Sequence, residues 1–107
     1  MEIYDDANKI ELRVYDVLKR VIDPEVDINI IDLGLVYDIK YEKEKGICIT
    51  MTFSNEGCPM GDVIINDISN ILNSELPELK HKVDITWTPK WSSDFIKPNG
   101  RALLGLI

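Results

Sequence analysis

One cysteine occupies a position where a thiol could be reactive. Cys58 is followed by Pro59 within residues 53–62, between a segment with strand-like alternation and one with helical periodicity. Proline is favoured at the first helical position, so the pair predicts that Cys58 caps a helix beginning at Pro59 or Met60. Unpaired backbone N–H groups and the helix dipole would favour the thiolate there. The alternative is that Cys58 only fills a turn, as a small hydrophobic residue.

The other candidate ligands limit the metal chemistry. Period-two alternation places Ile47, Ile49, Met51 and Phe53 on one face of a strand. It predicts that Cys48 lies on the opposite face, beside Thr50 and Thr52, as a structural residue. Two cysteines and the single His81 do not readily supply the four protein ligands of a closed zinc site. The carboxylates near Cys58, which would favour the thiol over the thiolate, are Asp23, Glu25, Glu56 and Asp62.

The elements that position this loop follow from the apolar spacing. A first helix is predicted over residues 7–21, capped by Asp5 or Asp6 and ended before Asp23 and Pro24. Strands are predicted at 35–42, 47–53 and 83–87, with a charged hairpin turn at 42–46. A second helix is predicted from 59 or 60 to 74, and a capped helical turn at 92–94 that is broken at 98–100. The run 31–37 predicts core side chains around a glycine, Gly34, in a conformation that other residues resist.

The predicted fold class is therefore α+β, in the order α-β-β-α-β plus a short C-terminal helix. A small mixed or antiparallel sheet of three to four strands would carry the two main helices on one face. The 107 residues, 45% of them hydrophobic and 29% charged, predict a single folded domain over residues 1–107.

Composition also excludes several classes of partner. No apolar run approaches the ~20 residues of a membrane span, and the amino terminus lacks the features of a secretory signal. We therefore expect a cytoplasmic protein that does not enter a membrane. The net charge of −7 repels phosphate backbones, which argues against a nucleic acid partner.

Four short runs occur together in this chain: VIDPE at 21–25, IDLGLVY at 31–37, CP at 58–59 and WTPKW at 87–91. In this order and at these intervals they resemble the PaaD/SufT-like family of iron-sulfur cluster assembly factors, over about residues 8–105. The resemblance implies a compact α+β domain that acts as an accessory factor in cytosolic iron-sulfur cluster assembly, rather than as a turnover enzyme. Its implied partners are other assembly proteins and apo client proteins.

The resemblance also implies functional positions. These are Asp23 and Glu25 of the Asp-Pro-Glu motif, a hydroxyl at Thr52 or Ser54, and Cys58. Ser54 stands where threonine is commoner in the family, which leaves open which of the two hydroxyls faces the site.

One cysteine cannot hold an iron-sulfur cluster, which usually takes four protein ligands. Cys58 would therefore bind iron or a cluster transiently, with a second copy in a homodimer, or with the thiols of a partner protein. A thiol hydrolase or transferase built on Cys58 would need His81 as its base.

Each candidate also has a structural interpretation. Asp23 could cap a backbone turn, and Trp87 and Trp91 could be either core residues or an aromatic surface that binds partners. If Cys58 is structural as well, the chain is a non-catalytic adaptor for protein interactions.

Overall fold

The fold is an α+β arrangement of helices and two small sheets, as the sequence predicts. The computed structural model describes residues 3–57 and 60–105, with side chains from residue 7 onward. Its helices are α1 (Ile3–Leu18), α2 (Gly61–Glu75), a 3-10 turn (Ser93–Phe95) and α3 (Pro98–Leu104). Its strands are β1 (Ile22–Asp23), β2 (Ile28–Asn29), β3 (Val36–Glu42), β4 (Gly46–Met51) and β5 (His81–Ile85).

The main sheet has three strands, with β4 in the centre. β3 pairs antiparallel with β4 through the predicted charged hairpin turn, and β5 pairs parallel with the other edge of β4. Ile39, Ile49 and Val83 lie side by side in this register. A parallel pair needs a crossover connection, and α2 supplies it. β1 and β2 form a separate small hairpin that the sequence did not predict as strands.

The core lies between this sheet and the two long helices. Alternate residues of β4 and every third or fourth residue of α2 are buried, as their spacing predicts. The fully or almost fully buried side chains of these two elements are Ile47, Ile49, Met51, Ile64, Ile68 and Leu72. Cys48 and Thr50, on the opposite face of β4, are half-buried, and neighbouring Lys82 and Asp84 are exposed. The helices therefore cover one face of the sheet.

The predicted bounds of α1 are wrong at both ends. α1 begins at Ile3, so Asp5 and Asp6 lie inside it and do not cap it. α1 also ends at Leu18, although Val21 continues the apolar pattern and is buried. The reason is that residues 19–21 form tight turns, in which the Val21 N–H donates to the Leu18 carbonyl at 3.0 Å. Periodicity thus identified the buried face and not the helix end.

Two later boundaries also differ from the prediction. β5 covers His81–Ile85 rather than residues 83–87. Pro98, expected as part of a helix break, is instead the first residue of α3. Proline fits that position because the first helical N–H has no partner within the helix.

Candidate functional site

A cleft of about 260 Å³ lies between the segment that follows β4 and the loop that follows β5. β4 and β5 are parallel neighbours, so their carboxyl ends meet at the same edge of the sheet, where Met51 pairs with Ile85. The described residues that line the cleft are Phe53, Ser54, Asn55, Glu56, Trp87, Lys90 and Trp91. The cleft thus brings together two segments that are more than thirty positions apart in the sequence.

One wall of the cleft leads directly towards Cys58 along the chain. Glu56 precedes Cys58 by two positions, and Met60 follows it by two. Cys58 and Pro59 themselves lie outside the described residues. The helix cap predicted for Cys58 is wrong, because Met60 is the N-cap of α2, without a side-chain hydrogen bond to the helix. Gly61 is the first residue of α2. A Cβ at this position would lie 3.0 Å from the Phe53 ring, so the helix begins close against that ring.

The two tryptophans have different surroundings. Trp87 is 39% exposed, and its ring lies 6.1 Å from that of Phe53, measured between centroids and at an interplanar angle of 54°. Trp91 is half-buried against the core, and its indole N–H donates to the Leu33 carbonyl at 2.8 Å. Both line the cleft, so the core and surface interpretations each describe one of them.

The loop from Thr86 to Trp91 is held in place by the run 31–37. The Tyr37 hydroxyl donates to the Pro89 carbonyl at 2.8 Å, next to the cis peptide bond between Thr88 and Pro89. Burial raises the pKa of Tyr37, so this hydroxyl remains a protonated donor at neutral pH. The runs 31–37 and 87–91 are both recognisable as motifs in the sequence. The sequence did not predict that they contact each other, because this hydrogen bond joins residues 52 positions apart.

Asp23 makes the backbone contacts of a capped turn. Its buried carboxylate accepts a hydrogen bond from the Glu25 N–H at 2.8 Å, and its carbonyl accepts one from the Asp27 N–H at 2.8 Å. These bonds close the β1–β2 hairpin and confirm the capping alternative. Glu25 is exposed on the same turn, and neither residue is among those that line the cleft.

The two candidate hydroxyls are separated clearly. Thr52 is fully buried, its N–H donates to the Leu35 carbonyl at 2.9 Å, and its hydroxyl lies 3.4 Å from the Phe53 carbonyl. Ser54 is half-buried and lines the cleft. β4 ends at Met51, so the alternation that placed Thr52 beside Thr50 does not extend that far. Ser54 is therefore the hydroxyl that reaches this cleft.

Asp32 is a buried polar residue whose role the sequence did not predict. Its carboxylate accepts hydrogen bonds from the side-chain amides of Asn29 and Asn99, each at 2.8 Å. Its carbonyl also accepts the Lys97 N–H at 2.8 Å. Asp32 thus connects the β1–β2 hairpin to the N-terminal end of α3. These bonds also hold the segment that leads to Gly34. In the sequence, only the Asn-x-x-Asp spacing of Asn29 and Asp32 could have indicated this hydrogen-bonded turn.

The described residues do not form a metal site by themselves. Among residues 3–57 and 60–105, no group of three or more His, Cys, Asp or Glu could hold a metal ion. The His81 ring nitrogen Nε2 lies 3.2 Å from the Ser69 hydroxyl of α2. Among the helices described, none is long and apolar enough to span a membrane.

A larger hollow of about 610 Å³ lies between α1 and β3. The Glu11 carboxylate at this hollow accepts the Tyr41 N–H at 2.8 Å. This groove contains none of the predicted site residues. We therefore assign the candidate site to the smaller cleft, which contains Ser54 and both tryptophans.

The fold agrees with the comparisons with known proteins. A family model described as "Iron-sulfur cluster assembly protein" matches residues 11–86. The chain therefore belongs to the iron-sulfur cluster assembly protein family.

Two relatives have the same class of name. The chain is 41% identical over 88 residues to the "Fe-S protein maturation auxiliary factor SufT" of Staphylococcus aureus, covering 80% of this chain and 98% of the relative. It is 37% identical over 90 residues to the "Fe-S protein maturation auxiliary factor YitW" of Bacillus subtilis, covering 83% and 87%. A crystal structure of a domain of unknown function from Bacillus anthracis superposes with a TM-score of 0.91 at 33% identity, covering 97% of this chain and 99% of that one.

Proposed function

We propose that this chain is a cytosolic auxiliary factor in the maturation of iron-sulfur proteins. It handles iron, sulfide or a client thiol through Cys58 and docks its partners beside the cleft. Those partners are other iron-sulfur assembly proteins and apo client proteins. The family membership supports the general role, and the names of the Staphylococcus and Bacillus relatives support the auxiliary character.

The observation that carries the proposal is the composition of the cleft. One of the runs that mark the family resemblance, WTPKW, forms one wall of the cleft, and the segment that immediately precedes Cys58 in the sequence forms the other. Because the chain reaches Cys58 two positions after Glu56 of this wall, we assign the thiol and the two tryptophans to one site.

The lining suits the handling of a sulfur-containing cargo. The Ser54 hydroxyl is a donor that can hydrogen-bond to sulfide or to a thiolate. Lys90 supplies a positive charge in the same cleft, which favours an anionic cargo. The Glu56 carboxylate has the opposite effect, because it repels a negatively charged sulfur. Because Cys58 supplies only one of the ligands that an iron-sulfur cluster needs, the cargo is a substrate in transit, and its remaining ligands come from a partner protein. This makes the chain a carrier or assembly factor rather than a turnover enzyme.

Partner docking is assigned to the exposed aromatic wall. Trp87 presents the side of its ring that does not contact Phe53, and large aromatic side chains are common anchors of protein interfaces. This exposure also supports the second candidate function, an adaptor in which Cys58 has no chemical role.

Anaerobic reconstitution with iron and sulfide, followed by ultraviolet-visible absorption, tests the chemical part of the proposal. Wild type is expected to develop a sulfur-to-iron chromophore that Cys58→Ser abolishes. Cys48→Ser is the matched control, because Cys48 lies on the other face of β4 from the core and should leave the spectrum unchanged. If no Cys58-dependent chromophore forms, the adaptor function is favoured.

A further inference from the structure

β5 is an open edge of the main sheet. The Ile47 N–H donates to the Lys80 carbonyl and the Thr86 N–H donates to the Met51 carbonyl, each at 2.8 Å. In a parallel ladder this pattern turns the backbone of even-numbered β5 residues towards β4. His81, Val83 and Ile85 therefore direct their N–H and C=O groups away from the sheet. Within the described residues, no hydrogen bond takes up these outward backbone groups.

The opposite edge of the sheet is partly covered. β3 packs beside α1, and the Glu11 carboxylate of α1 accepts the outward N–H of Tyr41 at 2.8 Å. Side chains that cover an edge in this way prevent it from pairing with another strand. β5 is thus the less covered of the two edges.

The charges of β5 make it complementary to a second copy of itself. Lys82 and Asp84 lie on the exposed face of the sheet, with side chains 62% and 59% exposed and 3.6 Å apart. In an antiparallel pair centred on Val83, Lys82 would stand opposite Asp84 of the partner subunit, twice. A slip of two residues in either direction would instead oppose two lysines or two aspartates, which is destabilising. A slip of one residue would exchange the two faces.

We propose that β5 pairs antiparallel with β5 of a second copy of this chain, with Val83 on the two-fold axis. The three facing pairs of outward backbone groups would form about six hydrogen bonds. Val83 and Ile85 pack against the core but are only half-buried, and the added strand would cover them on that side. The result is one continuous six-stranded sheet.

This interface keeps the two clefts apart. β5 ends at Ile85, two positions beyond the axis at Val83, so four strand positions at ~3.3 Å each place the carboxyl ends of the two β5 strands about 13 Å apart along the sheet, and the loops that carry Trp87 leave the interface at opposite ends. Each copy would therefore present its own cleft to partners. The dimer does not depend on Cys58, so its test is independent of the proposed function.

Sedimentation velocity between about 10 µM and 1 mM tests the proposal, a range that detects weak dimers. Wild type should show a dimer fraction that rises with concentration, and Lys82→Asp should reduce that fraction at least about tenfold, because two pairs of carboxylates then face each other. The double variant Lys82→Asp, Asp84→Lys should restore it. Lys40→Asp is the matched control: it makes the same charge change on the same face, but on β3, and should leave the dimer intact. Cys58→Ser should also dimerise as wild type.

Three results would overturn the proposal. One is a wild-type chain that stays monomeric throughout this range. The second is a dimer that Lys82→Asp and Lys40→Asp weaken equally, since that effect would come from net charge alone. The third is a folded double variant that does not recover the dimer.

Discussion

At the scale of single residues, the two tryptophans test different properties. Trp91 donates a hydrogen bond to Leu33 and packs against the core, so removing its side chain would damage the fold and the docking surface together. Trp87 contacts Phe53 with one side and is 39% exposed. Trp87 is therefore the residue whose substitution reports on docking.

We expect Trp87→Ala to weaken binding of an assembly partner or apo client by at least about 2 kcal/mol, as for an interface hot spot. Its effect on the free energy of unfolding should be smaller, about 1 kcal/mol, because mainly the ring contact with Phe53 is lost. Titration calorimetry with a purified partner and urea denaturation measure the two effects.

Trp91→Phe is the control for this prediction. It keeps an aromatic ring and removes the N–H donor, which should cost about 1 kcal/mol of stability and leave partner binding near the wild-type value. Equal binding by Trp87→Ala and wild type would rule out the docking role of Trp87.

At the scale of elements, Gly34 joins two parts of the chain that support the cleft. Its φ is +77°, and a Cβ at this position would overlap the backbone of Phe95 in the 3-10 turn. The sequence predicted the unusual conformation from the glycine alone. It could not predict the overlap, which depends on a segment sixty positions away.

Gly34→Ala should therefore destabilise the protein by about 3 kcal/mol or more, from the positive φ and the overlap together. Gly105→Ala is a matched control, because Gly105 has a φ of +75° but no atom within 4 Å of a Cβ. This control should cost only about 1 kcal/mol in urea denaturation. Equal losses for the two variants would show that the contact with Phe95 is unimportant.

The contact between α1 and α2 should depend on pH. The Glu75 carboxylate lies 2.9 Å from Arg20 and 3.3 Å from Arg13. The hydrogen bond from Arg20, together with its charge, lowers the pKa of Glu75 below its ordinary value of 4.5. A lowered folded-state pKa means that the stabilisation is complete above pH 4.5 and is lost as the pH falls through the folded value.

Glu75→Gln should consequently be less stable than wild type at pH 7, and the difference should vanish at low pH. Thermal unfolding of both proteins at a series of pH values measures this. A difference that does not shrink as the pH falls below 4.5 would contradict the ion-pair explanation, because protonation of the carboxylate removes the charge that Arg20 and Arg13 contact.

At the scale of the whole molecule, periodicity predicted the fold class and the buried faces of β4 and α2, and left open whether the sheet is mixed or antiparallel. Those features depend on local spacing, which the sequence displays directly. The short β1–β2 hairpin and the helix ends depend on turns such as that of Asp23, where a side chain and a carbonyl compete for backbone donors. The cleft could be predicted only in part, because the bond from Tyr37 to Pro89 and that from Trp91 to Leu33 join distant segments.

The central claim is that Cys58 acts chemically in the maturation of iron-sulfur proteins. It is tested most directly by the activity of an iron-sulfur enzyme in cells where the natural chain is replaced by Cys58→Ser, Cys48→Ser or Trp87→Ala. We predict that Cys58→Ser lowers that activity to the level of cells lacking the chain, while Cys48→Ser retains it. Full activity with Cys58→Ser, together with a loss in Trp87→Ala, would contradict the claim and identify the chain as an adaptor.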